Sequence, residues 1–210
     1  MVQRSNEVRV HASLLFVFIV SLIASGINPR DRFTWWLEVL PAVAGAVMLV
    51  TTYRRFKFTT VTYLLLTVHG IILVVGGHYT YAEMPWFDWL QDRFDLHRNY
   101  YDRVGHFAQG FVPAIVTREI LLELSPLRRG GWLFVIVVAV CLSTSALYEL
   151  VEWAVALATG ASAEAFLGTQ GDVWDTQWDM FLALCGAASA LVVLGGAHDR
   201  ALGAGESSDG

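Results

Sequence analysis

The sequence predicts an all-α integral membrane bundle of six transmembrane helices, with an interfacial amphipathic segment between helices 3 and 4. Three observations predict it. Of the 210 residues, 55% are hydrophobic and only 16% charged. Six apolar runs recur along the chain, each near the ~20 residues that cross a hydrocarbon core. Eight tryptophans are present, several at the edges of those runs, where amphipathic rings favour the membrane interface. No long polar stretch breaks the pattern. Residues 1–197 therefore read as a single transmembrane domain, and the Gly-rich, acidic 198–210 as a disordered cytoplasmic tail. A formal charge of −5 gives no support for nucleic-acid binding.

The first run, Ala12 to Ile27, follows a polar start bearing Arg4 and Arg9. Its Ala24-Ser25-Gly26 end would suit signal-peptide cleavage, but the spans that follow favour a retained helix. Asn28 to Arg32 is a polar turn. Trp35 and Trp36 anchor the second span, about 35–53, which holds Glu38 and Pro41 and ends in the basic cluster Arg54, Arg55 and Lys57. The third span, about Thr59 to Tyr79, carries His69 in its middle, read as a packing or hydrogen-bonding residue. In Met84 to Arg103 the apolar positions Trp86, Phe87, Trp89, Leu90, Phe94 and Leu96 recur at three and four, interleaved with acids. That is an amphipathic segment lying in the interface as a cap over other helices.

The fourth span, about Arg103 to Leu124, starts with Asp102 and His106 at i,i+4, on one face. Arg118, Glu119 and Glu123 near its far end are long enough to snorkel to the headgroups. The fifth, about Trp132 to Ala158, holds Glu149 and Glu152 three residues apart. A Gly-rich loop then leads to the sixth, about 174–197. Cys141 and Cys185 lie inside spans and read as small core residues. Arg4, Arg9, Arg54, Arg55, Lys57, Arg128, Arg129 and Arg200 fall on one side. Arg30, Arg32, Arg93, Arg98 and Arg103 fall on the other. The bias predicts that both termini are cytoplasmic.

With that topology, the candidate site residues share the outer side. Asp172, Asp175 and Asp179 are spaced by three and four, so a helix beginning near Asp172 puts them on one face. Capping explains the first of these acids but not Asp179, a turn deeper. Glu149 lies about 12 Å from the outer end of its helix at 1.5 Å per residue. His106, Glu149 and Asp175 are expected to share one polar pocket, with Asp102 and Asp179 beside it, because each is costly facing lipid.

Three chemistries suit that set. Asp172, Asp175, Asp179, Glu149 and His106 offer the oxygen and nitrogen ligands of a divalent metal such as Mg, Mn, Ca or Zn, which could activate water or hold a phosphate. Alternatively His106, with Asp102 or Glu149, acts as a metal-free general acid/base or proton relay. The third is structural: Arg103 or Arg98 pairs with the acids and pins the helices. The chain has no His-Glu-x-x-His, Gly-x-Ser-x-Gly or Walker pattern.

Four stretches carry a resemblance. They are His78-Tyr79-Thr80-Tyr81-Ala82-Glu83-Met84-Pro85, Tyr101-Asp102-Arg103-Val104-Gly105-His106-Phe107, Leu147-Tyr148-Glu149, and Gly168 to Met180 with its Asp172, Asp175 and Asp179. They resemble the YjdF family of bacterial inner-membrane proteins, over most of the chain. The resemblance implies an inner-membrane address and no specified chemistry. More distantly, Asp102, His106 and Phe107, then Glu149, then Asp172 and Asp175 are similar to the pattern of VanZ-like membrane proteins, a family linked to teicoplanin resistance. Arg103 stands for the usual Lys, Glu152 for Gln and Asp179 for Asn, which makes this site more acidic. The functional expectation is a membrane-embedded enzyme acting on a lipid or isoprenoid-phosphate head group. The alternative is a non-catalytic transporter or envelope-assembly factor that binds a cation or relays protons.

Overall fold

The structure, a computed structural model, describes residues 2–160 and 164–206. Among these are eight helices and no strand: α1 (Val2–Ser25), α2 (Arg32–Thr52), α3 (Thr60–Tyr79), α4 (Pro85–Phe94), α5 (Tyr101–Leu124), α6 (Gly131–Thr159), α7 (Glu164–Leu167) and α8 (Asp175–Glu206). Within α1, α2, α3, α6 and α8 lie stretches long and apolar enough to cross a membrane. α5 has 24 residues but carries five charged ones, Asp102, Arg103, Arg118, Glu119 and Glu123.

Short turns make neighbouring helices antiparallel. One end of the bundle gathers the α1–α2 turn, the end of α3, α4, the start of α5, the end of α6, α7 and the start of α8. This is the site end of the bundle. There Arg30 N donates to His78 O at 2.9 Å, tying the first turn to α3. Asp31 caps α2, its Oδ1 accepting from Thr34 N at 2.7 Å. Replacing Asp31 by Ala is expected to cost about 1 kcal/mol, the usual worth of an N-cap side chain. Thermal unfolding in detergent checks this, and an unchanged melting temperature would count against the cap.

α5 is the central element. It packs against α3, α6 and most extensively α8. α5 and α8 run parallel, since Arg103 meets Asp179 at one end and Arg118 meets His198 at the other. Between those ends Ala114, Ile115, Leu133, Val137, Cys141, Ala187 and Ala190 form an apolar core. Cys141 is a buried core residue, as expected, and Cys185 is half-buried; both are free thiols.

The structure corrects several boundaries. Helix α1 begins at Val2 rather than near Ala12. α8 does not end at 197 but continues to Glu206, so residues 198–206 of the expected tail are helical; 207–210 lie outside the described residues. The reason is at the end opposite the site. His198 is fully buried, and its Nε2 lies 2.9 Å from Glu119 Oε2. Its Nδ1 lies 2.9 Å from Arg118 Nη1. Arg118 also reaches Asp199 at 2.6 Å, and Glu119 accepts from Thr59 N at 2.6 Å and from the Thr62 hydroxyl. Arg118 and Glu119 therefore do not snorkel to headgroups; they are buried and join α3, α5 and α8.

The segment 84–103 also differs from a continuous amphipathic element. Helix α4 covers only Pro85–Phe94, has no fully buried residue, and ends on Asp95 in the left-handed region (φ 51°). The residues that plug into the bundle come after it, Arg98 and Asn99, at 6% and 0% exposure.

Candidate functional site

Two loops and the starts of two helices build the site. Asn99 locks the first loop to the second. Its backbone N donates to Gln170 Oε1 at 2.9 Å, and Gln170 Nε2 donates to Asn99 O at 3.0 Å. The Asn99 side chain donates to Met84 O and to Asp88 Oδ1, at 3.0 and 2.7 Å. This clamp holds Arg98 over α8. On the other side, Asp172 accepts from Trp174 N at 2.9 Å, a local turn that opens α8. The helix starts at Asp175, so Asp172 lies in the turn before it rather than on its face. Asp175 and Asp179 do share a face, directed at α5.

Two arginines run through these acids. Arg98 contacts Asp175 and lies 3.3 Å from Asp102 and 3.6 Å from Asp172; it also donates to Gly168 O at 3.0 Å. Arg103 contacts Asp179 and lies 2.7 Å from Asp175 and 3.1 Å from Asp172. The planar fork of a guanidinium suits such multiple carboxylate contacts. Arg98, Asp102, Arg103, Asp175 and Asp179 are all below 10% exposed. Asp172 is the accessible member, its side chain 28% exposed. The pairing of both arginines with the acids is thus a feature of the fold.

His106 sits one turn deeper along α5. Its Nε2 lies 3.4 Å from Asp102 Oδ1 and 3.7 Å from Asp179 Oδ1. Its Nδ1 lies 2.9 Å from Gln109 Oε1 and 3.8 Å from Glu149 Oε1. That Glu149 oxygen is buried and has no hydrogen-bond partner. Glu152 is buried three residues further along α6, and Glu38 of α2 is buried too, its carboxylate meeting the Tyr148 hydroxyl. Tyr81, in the left-handed region at φ 49°, closes the floor. Its ring lies against both Gly76 and Gly105, where a Cβ would collide with it, and burial pushes its phenol well above the ordinary range.

The expected residues are therefore brought together. His106 touches Asp102, Asp179 and Glu149 directly, and Asp175 and Asp172 join through Arg98 and Arg103. Among the described residues, one group of acids and histidine is close enough together to hold an ion. The ligand atoms that lie within 4.8 Å of one another belong to Asp102, His106 and Asp179; Asp172 and Asp175 face the arginines, and Glu149 stands on the other side of the imidazole. Reading the sequence missed Gln109, Asn99, Gln170 and the Gly168 carbonyl. Gln109, three residues after His106, carried the one usable signal, an amide on the same helix face.

Six of the tryptophans, Trp36, Trp86, Trp89, Trp153, Trp174 and Trp178, are exposed and belong to elements of the site end. Interfacial tryptophans favour headgroup depth, and a further exposed one, Trp132, stands at the opposite end, at the start of α6. Long apolar helices, an aromatic girdle and charges turned inward define a polytopic helical membrane protein with a buried acid–arginine–histidine cluster. Residues 10–200 match the family described as "Predicted membrane protein (DUF2238)", and the chain belongs to that family. It is 48% identical over 181 residues to the inner membrane protein YjdF of Escherichia coli (strain K12), covering 86% of this chain and 87% of that protein. No solved structure matches. The protein is an inner-membrane protein of the bilayer-embedded, multi-helix kind that the motifs implied.

Proposed function

We propose that the protein is a membrane-embedded enzyme acting on a lipid or isoprenoid-phosphate head group, with His106 as general acid/base. The observation that carries this reading is the buried imidazole between Asp102 on one nitrogen and Glu149, with an unpartnered oxygen, on the other. A histidine flanked in this way can take a proton from one side and deliver it to the other. Asp102 orients the ring. Asp172 bridges both arginines and is the exposed member, so its carboxylate stands where a head-group phosphate would replace it.

Six crossings fit this reading, with α5 as the sixth. At 1.5 Å per residue α5 is about 36 Å long, and four of its five charged residues are buried against other helices. α4 then lies in the interface, with Trp86 and Trp89 exposed. The arginine and lysine bias puts both termini in the cytoplasm and the site at the outer leaflet.

A second reading rests on charge. Asp102, Asp172, Asp175, Asp179, Glu149, Glu152 and Glu38 outnumber Arg98, Arg103 and His106. Such an excess in a poorly hydrated place is met by protons or a bound cation. Asp102, His106 and Asp179 would hold a divalent ion, Mg, Mn, Ca or Zn, which would supply Lewis acidity. Without catalysis, the same groups would serve a transporter or assembly factor that moves protons or binds a cation.

One experiment sorts these readings. Protein is reconstituted with phosphatidylethanolamine, phosphatidylglycerol and a polyisoprenyl phosphate, and the lipids are followed by mass spectrometry with and without each metal. A modified head group is expected with the native chain and not with His106→Gln. Unchanged lipids under every metal condition would sink the enzyme reading. If a metal binds, it also raises the melting temperature by mass action, and Asp179→Asn blunts that rise.

A further inference from the structure

On helix α5, Asp102, His106 and Gln109 stand at i, i+4 and i+7, on one face over two turns. His106 is thus bracketed within its own helix, by a carboxylate one turn before it and an amide one turn after. The amide makes the closest contact to the ring. Gln109 Oε1 lies 2.9 Å from Nδ1, an ordinary N–H···O length. The acids stand further off. Glu149 Oε1 is 3.8 Å from the same nitrogen, and Asp102 Oδ1 and Asp179 Oδ1 are 3.4 and 3.7 Å from Nε2.

An amide oxygen only accepts, so the nitrogen facing it carries the hydrogen. The bond made by one ring nitrogen decides the state of the other. With the hydrogen on Nδ1, Nε2 of the neutral ring keeps its lone pair. Nε2 is the nitrogen nearest Asp102 and Asp179, the two acids whose ligand atoms group with that of His106. Two carboxylates and a lone pair brought together favour a proton or a cation between them. On the other side of the ring the two acceptors differ in kind. The Glu149 carboxylate could take the hydrogen from Nδ1, whereas an amide oxygen is too weak a base to do so.

We propose that Gln109 is the positioning residue of this site. Its carbonyl holds the Nδ1 hydrogen of His106, keeps it from Glu149, and leaves Nε2 as the nitrogen that exchanges a proton with a head group. That last consequence rests on the general acid/base reading of His106; the hold on the ring does not. The same hold would serve a bound cation, since a ligating histidine donates its other ring N–H to a fixed acceptor. Both partners belong to one helix, so the hold does not depend on the loops that carry Arg98 and Asp172.

Nitrogen NMR of detergent-purified protein with isotopically labelled histidine rings tests this, His106 being identified by the signals lost in His106→Gln. A ring nitrogen bearing hydrogen and one bearing a lone pair resonate far apart, so the two neutral tautomers are told apart directly. The native chain is expected to carry the hydrogen on Nδ1. Gln109→Met, close in size and without the amide, should move His106 to a mixture or to hydrogen on Nε2. Gln109→Glu, which restores an acceptor, should return it to Nδ1. A purely structural role would change the melting temperature and leave the tautomer alone. Hydrogen on Nε2 in the native chain, hydrogen on both nitrogens at every pH at which the protein stays folded, or a tautomer unmoved by Gln109→Met would each overturn the proposal. If Gln109→Met fails to fold, the native spectrum still decides. Lipid turnover separates this result from the enzyme reading. Where turnover is seen, Gln109→Met should lower kcat about a hundred-fold, the low end of what a positioned acid/base contributes, with KM little changed; an unchanged kcat would overturn the role given to Nε2. If no lipid is modified and the spectra behave as expected, the enzyme reading falls and the hold of Gln109 on His106 stands.

Discussion

Arg103→Ala is expected to destabilise the protein by about 3–5 kcal/mol, the range seen when one partner of a buried ion pair is removed. Arg103 is 9% exposed and contacts Asp179, Asp175 and Asp172. Truncation leaves Asp179, 2% exposed, without its guanidinium. The large term is not the lost attraction but the carboxylates left desolvated. Arg103→Lys keeps a charge but loses the fork that serves three acids at once, so it should fall between the two. Adding Asp179→Asn to Arg103→Ala should recover part of the loss, because it removes the most deeply buried orphan; a double-mutant cycle measures that coupling. The readout is thermal or denaturant unfolding in detergent. A loss below about 1 kcal/mol for Arg103→Ala, the worth of an exposed pair, would mean that water or a bound cation carries the charge balance instead.

The same residues show how far sequence reading goes. The long apolar runs placed α1, α2, α3, α6 and α8 because their signal is local, a matter of length and hydropathy. The i,i+4 spacing of Asp102 and His106, and the acids before the last run, marked the right end of the right helices for the same reason. What failed was non-local. Arg118 and Glu119 near a helix end look like snorkelling residues, and only their bonds to His198, about 80 positions away, make them a buried clamp. His198 in turn keeps helical a stretch whose Gly-rich composition suggests a tail. Arg98 and Asn99 sit in a loop without periodicity, so nothing local marks them as the bridge to Gln170 and Asp175.

Gly110→Leu is expected to cost about 3 kcal/mol or more, at the upper end of what overpacking does to a well-packed interior. The cause is a backbone contact between parallel helices. A Cβ at Gly110 of α5 would overlap the Ala183 carbonyl of α8, and one at Gly186 of α8 would overlap the Phe107 carbonyl of α5. Small residues at such crossings let helix backbones approach closely, where packing rather than the hydrophobic effect holds membrane helices together. A side-chain clash can be relieved by a rotamer change, but a carbonyl cannot turn aside without disturbing its helix. The helices must part instead. Parting them strains both polar clusters, because the same pair of helices aligns Arg103 with Asp179 and Arg118 with His198. Gly195→Ala on α8 is the matched control. Nothing lies within 4 Å of its would-be Cβ, so it should leave stability unchanged or raise it by up to about 1 kcal/mol through helix propensity. Melting temperature and the yield of monodisperse protein in detergent provide the comparison. Gly110→Leu melting with Gly195→Ala would mean that α5 and α8 are not held at backbone contact, and the alignment of the site on that seam would lose its basis.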